Sequence, residues 1–250
     1  YRAIHDLKDK RDSKALESFL MDSEPVLRLT AFEAMASIQD TLAVASLLNG
    51  LQDRDSKVRL AAAYAIGQTA RILSSPDPKI SVRIINAVSK ESDPAVVSEL
   101  LKSLGKSADD TGLKFLSSYS TVDPDVMEGI AWGIYRAGLD GKSNSGLTRR
   151  AKMILEGKYS MSARLAAAQF FARTEDLDFD MHSNLFLDIA KNEKYPEIRM
   201  AAVSSLGKLS ADEVQSTLRS IMKRDSDYRV RVNAIDALSN FGGMKAEPFV

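Results

Sequence analysis

Seven segments of the chain follow one pattern, and that repetition constrains the fold more than any single residue does. They read EPVLRLTAFEAMAS from Glu24, DSKVRLAAAYAIGQTA from Asp55, DPAVVSELLKSLGK from Asp93 and DPDVMEGIAWGIYR from Asp123. The last three are SMSARLAAAQFFAR from Ser160, YPEIRMAAVSSLGK from Tyr195 and DYRVRVNAIDALSN from Asp227. The position held by Arg59 is Arg28, Val97, Met127, Arg164, Arg199 and Arg231 in the others, so successive copies lie 31, 38, 30, 37, 35 and 32 residues apart. Such a period fits two antiparallel helices with their turns. One unit of that kind cannot bury its own apolar face, but a stack of them builds a continuous core.

Each copy carries helix-start chemistry. Its first residue is Asp in four copies and Ser in a fifth, side chains whose oxygen satisfies an orphan backbone N–H. Pro25, Pro94, Pro124 and Pro196 follow at the first helical position, where no N–H is needed. In the second copy Val58, Ala61, Ala62, Ala65 and Ile66 recur at helical spacing, and the small alanines allow close helix approach. A second helical pattern lies between copies, clearest in Thr41–Leu51, Ile80–Val88 and Ser210–Met222. The unit is therefore helix A, turn, helix B. No strand-like alternation bounded by turn residues occurs, and the expected class is all-α.

DSKVRLAAAYAIG and YPEIRMAAVSSLG resemble HEAT repeats, whose second helix reads roughly Asp-Pro-x-Val-Arg-x-x-Ala-x-x-Ala-Leu-Gly. The resemblance covers nearly the whole chain and is weakest in the copies around Val97 and Met127. It implies a right-handed superhelical solenoid of about seven antiparallel helix pairs, forming one domain over residues 1–250, with B helices on the concave side. It also implies a scaffold that binds other proteins. The start, YRAIHDLKDKRDSKALESFL, is similar to helical arrays that precede cyclophilin-type prolyl isomerase domains in some bacterial proteins. No such barrel is present, so any isomerase activity would lie outside this sequence. The chain opens on Tyr1 without a signal peptide, and we expect a fragment or processed product of a longer protein. The Gly- and Ser-rich stretch Ala137–Leu147 is the expected hinge. The terminal GGMKAEPFV reads as a turn into a further helix, leaving no polar cap.

The recurring arginines Arg28, Arg59, Arg164, Arg199 and Arg231 are expected to link adjacent turns through charge-assisted hydrogen bonds to a row of turn aspartates, Asp55, Asp93, Asp123 and Asp227. Partner binding is expected on two B-helix rows, one and five residues past the arginine position. The first holds Leu29, Leu60, Ser98, Glu128, Leu165, Met200 and Val232; the second holds Glu33, Tyr64, Lys102, Trp132, Gln169, Ser204 and Asp236. The residues assigned to the partner are Leu60, Tyr64, Lys102, Glu128, Trp132, Leu165, Gln169 and Met200, with the aromatics as anchors. Packing between neighbouring B helices is the competing explanation for these rows. Gly129 and Gly133, four apart in a helix, point to close approach, a kink or a ligand contact.

Composition narrows the chemistry. Lys and Arg number 34 against 34 Asp and Glu, which argues against a surface built wholly for phosphate backbones or anionic lipid. The absence of cysteine removes disulfides, thiolate nucleophiles and Cys-ligated metals. The two histidines, His5 and His182, lie about five repeats apart and cannot pair on a metal. DLDFD at Asp176–Asp180 starts like a calcium loop, but Met181 replaces the turn glycine and Leu187 the bidentate Glu. No Gly-rich phosphate loop follows a strand, and no apolar run is long enough to span a membrane. We therefore expect no enzyme site, metal or cofactor, and a protein or peptide partner. The alternative is nucleic-acid binding through the basic segment 142–164, which holds Lys142, Arg149, Arg150, Lys152, Lys158 and Arg164 against Glu156.

Overall fold

The computed structural model describes residues 1–107, 109–175, 177–209 and 211–241. Their regular structure is helical throughout. The chain divides into two compact units, residues 1–150 and 151–250, and the division falls inside one helix.

In the first unit α1 (Arg2–Asp9) and α2 (Ser13–Leu16) precede α3 (Pro25–Ile38), α4 (Val44–Asn49), α5 (Ser56–Ala70) and α6 (Pro78–Val88). Then come α7 (Pro94–Ser107), α8 (Asp110–Ser118), α9 (Pro124–Leu139) and the start of α10 (Ser145–Glu156). The second unit completes α10 and adds α11 (Met161–Arg173), α12 (Ser183–Asn192), α13 (Pro196–Leu206), α14 (Asp212–Arg224) and α15 (Tyr228–Ser239). The seven sequence copies are α3, α5, α7, α9, α11, α13 and α15, the B helices; the A helices alternate with them. Ser210, where one A-helix pattern was expected to open, lies outside the described residues, and α14 begins at Asp212.

The B helices start as their sequences dictate. Asp55 Oδ1 accepts the Lys57 N–H at 2.8 Å and Asp227 Oδ1 that of Arg229 at 2.8 Å. Asp123 Oδ1 takes two, from Asp125 and Val126. The A helix at Thr41–Leu51 is broken into 3₁₀, α and 3₁₀ pieces. Gly50 sits where α3 and α5 converge, and a Cβ there would lie 2.2 Å from Phe32 Cζ and 2.7 Å from Ala62 Cβ.

Burial is on more than one side of the B helices, which face A helices and, within each unit, neighbouring B helices together. The position four past the ladder arginine reads Phe32, Ala63, Leu101, Ala131, Ala168 and Val203, none more than 1% exposed, while its seventh member, Ile235, is 39% exposed. The tightest joint is between α7 and α9. A Cβ on Gly105 would meet Gly133 O at 2.0 Å, one on Gly133 would meet Leu101 O at 2.5 Å, and one on Gly129 would meet Ser98 Cα at 2.5 Å. These are backbone atoms and cannot swing away, so the glycines are there for close approach.

The expected hinge, 137–147, comprises the last turn of α9, a turn at Gly141 with φ +70°, and the first turn of α10. The terminal GGMKAEPFV falls, from residue 242 onward, outside the described residues.

Candidate partner-binding face

The recurrent arginines are held by a repeated set of bonds. Arg28 Nη1 donates to the carbonyls of Asp22 and Ser23 in its own turn, while Nε and Nη2 form a fork on Asp53 at 2.6 and 2.8 Å. Arg59 does the same with the carbonyls of Asp53 and Arg54 and the carboxylate of Glu91. In the second unit Arg164 donates to the Leu155 carbonyl and to Glu193. Arg199 donates to the carbonyls of Glu193 and Lys194 and forks onto Asp225 at 2.9 and 2.7 Å. Arg231 keeps the carbonyl bonds, to Asp225 and Ser226. Each acid also accepts a backbone N–H from its own turn, such as Asp55 N–H on Asp53 at 2.9 Å. The guanidinium therefore staples two turns together, and the acid organises the second of them.

This corrects the expected pairing. Asp55, Asp93, Asp123 and Asp227 turn their carboxylates onto the first N–H groups of their own helices and do not receive the arginine of the preceding repeat. The acceptors are Asp53, Glu91, Glu193 and Asp225, two residues upstream, where the chain passes under the preceding B helix. The bonds hold the carboxyl groups down. The Arg59 fork keeps Glu91 below its usual range against the opposing effect of burial. Burial pushes Asp53 up, but Arg28 and the Asp55 N–H outweigh it.

A sequence signal for these acids exists. The residues two before each B-helix start are Asp22, Asp53, Glu91, Thr121, Lys158, Glu193 and Asp225. Where the preceding copy has Val97 the acid is replaced by Thr121, and where it has Met127 by Lys158, so both members of the pair are lost together. Thr121 Oγ1 accepts the Asp123 N–H in the acid's place. Arg150 approaches the vacated turn from α10, donating to Tyr119 O at 3.0 Å beside Met127 Sδ.

The two B-helix rows differ in exposure. In the first unit Leu60 and Tyr64 are exposed, while Lys102, Glu128 and Trp132 are half-buried. Lys102 lies 3.6 Å from Glu99, and the Trp132 ring meets Tyr135 edge-on at 5.4 Å. Ser98, expected on the outer row, is buried because Gly129 presses on its backbone. Leu60, Ala95, Ser98, Glu99, Lys102, Asp125 and Glu128 line an open groove of 260 Å³. In the second unit Leu165, Gln169 and Met200 are half-buried. Gln169 and Met200 line a polar groove of 570 Å³ with Arg173, Ser204, Asn233 and Asn240.

Two cations on these helices carry no sequence-level signal of importance, Lys106 and Arg136. Lys106 is 7% exposed, with its ammonium 5.1 Å from the Tyr64 ring centroid. Arg136 stacks 5.4 Å from the Tyr135 centroid.

Among the described residues no group of three or more His, Asp or Glu is placed to hold a metal ion. Asp176, in the calcium-like stretch, lies outside the described residues; Asp178 accepts the Met181 N–H and Asp180 opens a 3₁₀ turn. His182 is buried edge-on against Phe171 and Phe186, its Nδ1 without a partner. The basic segment sits on and around the A helix α10, and several of its cations are engaged: Arg164 in the ladder, Arg150 on a carbonyl, Lys152 near Glu156. No described helix is long and apolar enough to cross a membrane.

Comparison with known proteins bears on the repeat itself. The family model for HEAT repeats matches residues 13–78 and 183–249. Among solved structures, a chain of the CpcE–CpcF complex of phycocyanin lyase from a Nostoc species is similar at 16% identity and a TM-score of 0.54, covering 92% of this chain and 94% of that one. An archaeal HEAT-like repeat protein from Thermococcus onnurineus gives 15% identity and a TM-score of 0.48, covering 96% and 91%. A designed armadillo repeat protein gives 14% and 0.49, covering 91% and 98%. No curated protein matches by sequence, and the likeness of residues 1–20 to cyclophilin-linked arrays finds no support in these matches. The family match spans more than half of the chain, and the repeat register and all-helical solenoid-type architecture agree with it: this protein belongs to the HEAT-repeat family.

Proposed function

We propose that the chain is a non-catalytic scaffold that binds a protein or peptide along its B helices. In the first unit the contact residues are Leu60, Tyr64, Lys102, Glu128 and Trp132; in the second they are Leu165, Gln169 and Met200. The observation that carries the reading is the exposure of Leu60, which lines an open groove, and of Tyr64 one turn on, on a helix whose other faces are buried. Aromatic side chains such as Tyr64 and Trp132 are the residue type that anchors interfaces. An array of paired helices also offers a long face with no need of catalytic groups. The nucleic-acid alternative is weaker, because in segment 142–164 Arg164 and Lys152 already face carboxylates and Arg150 is bonded to a carbonyl.

A displayed peptide library panned on the whole chain tests this. Enriched peptides of defined sequence should bind the parent protein and lose most of their affinity to a Tyr64→Ala/Trp132→Ala variant that keeps its helical circular dichroism. Equal affinity for both proteins, across all enriched peptides, would remove the B-helix face from consideration.

A further inference from the structure

The position nine residues past the ladder arginine reads Ser37, Gln68, Lys106, Arg136, Arg173, Lys208 and Asn240, basic in four consecutive copies. Within the second unit Lys208 is fully employed. Its ammonium donates to Thr174 O at 2.7 Å and Phe171 O at 3.3 Å, closing the end of α11. Lys106, at the same register in α7, meets no such acceptor among the described residues. It is nine-tenths buried, and its ammonium is turned over the Tyr64 ring on the neighbouring B helix.

Nearby carboxylates do not serve it. Glu99 lies 3.6 Å from Lys102, and Asp140 lies 3.4 Å from Arg71. Both acids are thus engaged by other cations, and Lys106 and Arg136 each lie against an aromatic ring instead. A buried cation without a counter-charge is costly to keep. Burial, reinforced by Arg136, Arg71 and Lys102 and opposed by Glu99, holds the Lys106 amine below the usual lysine range. A carboxylate arriving at the Tyr64 edge would relieve that cost.

We propose that the α5–α7–α9 face receives an acidic extended peptide segment, one carboxylate seating on Lys106 and a second on Arg136, alongside Tyr64 and Trp132. This rests on the reading of that face as a partner surface. A peptide suits it better than a nucleic acid, since Glu99, Asp125 and Glu128 line the adjoining groove. A phosphodiester backbone has no donor to offer those acids, whereas a peptide backbone presents N–H groups to them beside its carboxylates.

Trp132 is the sole tryptophan, so its emission reports on this face in the intact chain. Octaglutamate at low salt should give a saturable change that is lost at high salt, and octaglutamine should give none. Lys106→Met, which keeps the aliphatic stem, should weaken octaglutamate by about tenfold, the loss of one charge-assisted contact, with an unchanged or higher Tm. In the unmodified protein, octaglutamate should slow acylation of Lys106 by acetic anhydride, read by peptide mass spectrometry. A flat titration, or an unaltered acylation rate at saturating octaglutamate, would overturn the proposal. So would an oligothymidylate of equal length that binds more tightly and protects Lys106. If neutral peptides bind through Tyr64 and Trp132 while octaglutamate does not, the acidic assignment fails and the partner face stands.

Discussion

Replacing Arg199 with Met is the most direct measure of what the arginine ladder contributes. Arg199 is 8% exposed and spends its donors on four acceptors: two carbonyls of its own turn and both oxygens of Asp225. Methionine fills the space of the stem but supplies no donor. The Asp225 side chain, 8% exposed, is left with the Asp227 N–H alone. Stranding one member of a buried pair costs about 3–5 kcal/mol, and individual bonds to a charged group about 1.5–3 kcal/mol, so the expected loss is about 3–5 kcal/mol. Adding Asp225→Leu removes the stranded charge, and the double variant should recover at least about 1 kcal/mol relative to the sum of the singles. Urea unfolding followed by far-UV circular dichroism gives all four corners of the cycle. The exposed pair Arg229–Glu197 provides the reference, with a small coupling that disappears in salt. A loss below about 1 kcal/mol for Arg199→Met, or a coupling no larger than that of the exposed pair, would refute the stapling role.

Two further outcomes follow from packing and titration. Helix propensity alone favours Gly105→Ala by up to about 1 kcal/mol, but the new Cβ would press on the Gly133 backbone at 2.0 Å. We expect net destabilisation of about 2–3 kcal/mol in thermal or urea melts, and a neutral or stabilising result would mean that α7 and α9 are not in direct contact. His182 is held neutral, its pKa lowered first by burial and then by Lys152, against the opposing pull of Asp178 and Glu156. A depressed histidine contributes stability that is present above its unfolded value of about 6.5 and lost as pH falls below it. The unfolding midpoint should therefore drop between about pH 7 and 5 in the parent protein, and His182→Phe should lessen that drop; an unchanged pH profile in the variant would refute the assignment.

Much of the architecture was legible in the sequence because the repeat forces the same solution seven times. Capping Asp and first-turn Pro mark the B-helix starts, and small alanines mark close packing. The acids of the ladder were harder to read. Asp55 and Asp53 are both turn aspartates, and only the path of the chain decides which lies under Arg28. Gly105 carries no local signal of its role, since its reason for being glycine is Gly133, a residue 28 positions away. Lys106 was illegible for a different reason. Its significance is the lack of an acceptor that Lys208 possesses, and spacing does not report on what a side chain fails to meet.

The contrast between stapled turns and the glycine joint divides the molecule by what it responds to. Where Arg28, Arg59, Arg164 and Arg199 hold neighbouring turns, the joint is ionic; acid that neutralises the carboxylate loosens it, and salt acts on it in proportion to its exposure. At α7 and α9 backbone rests on backbone, and that contact itself carries no charge for protons or ions to act on. Solution conditions can thus change the compliance of the flanking repeats while the spacing beneath Trp132 stays fixed.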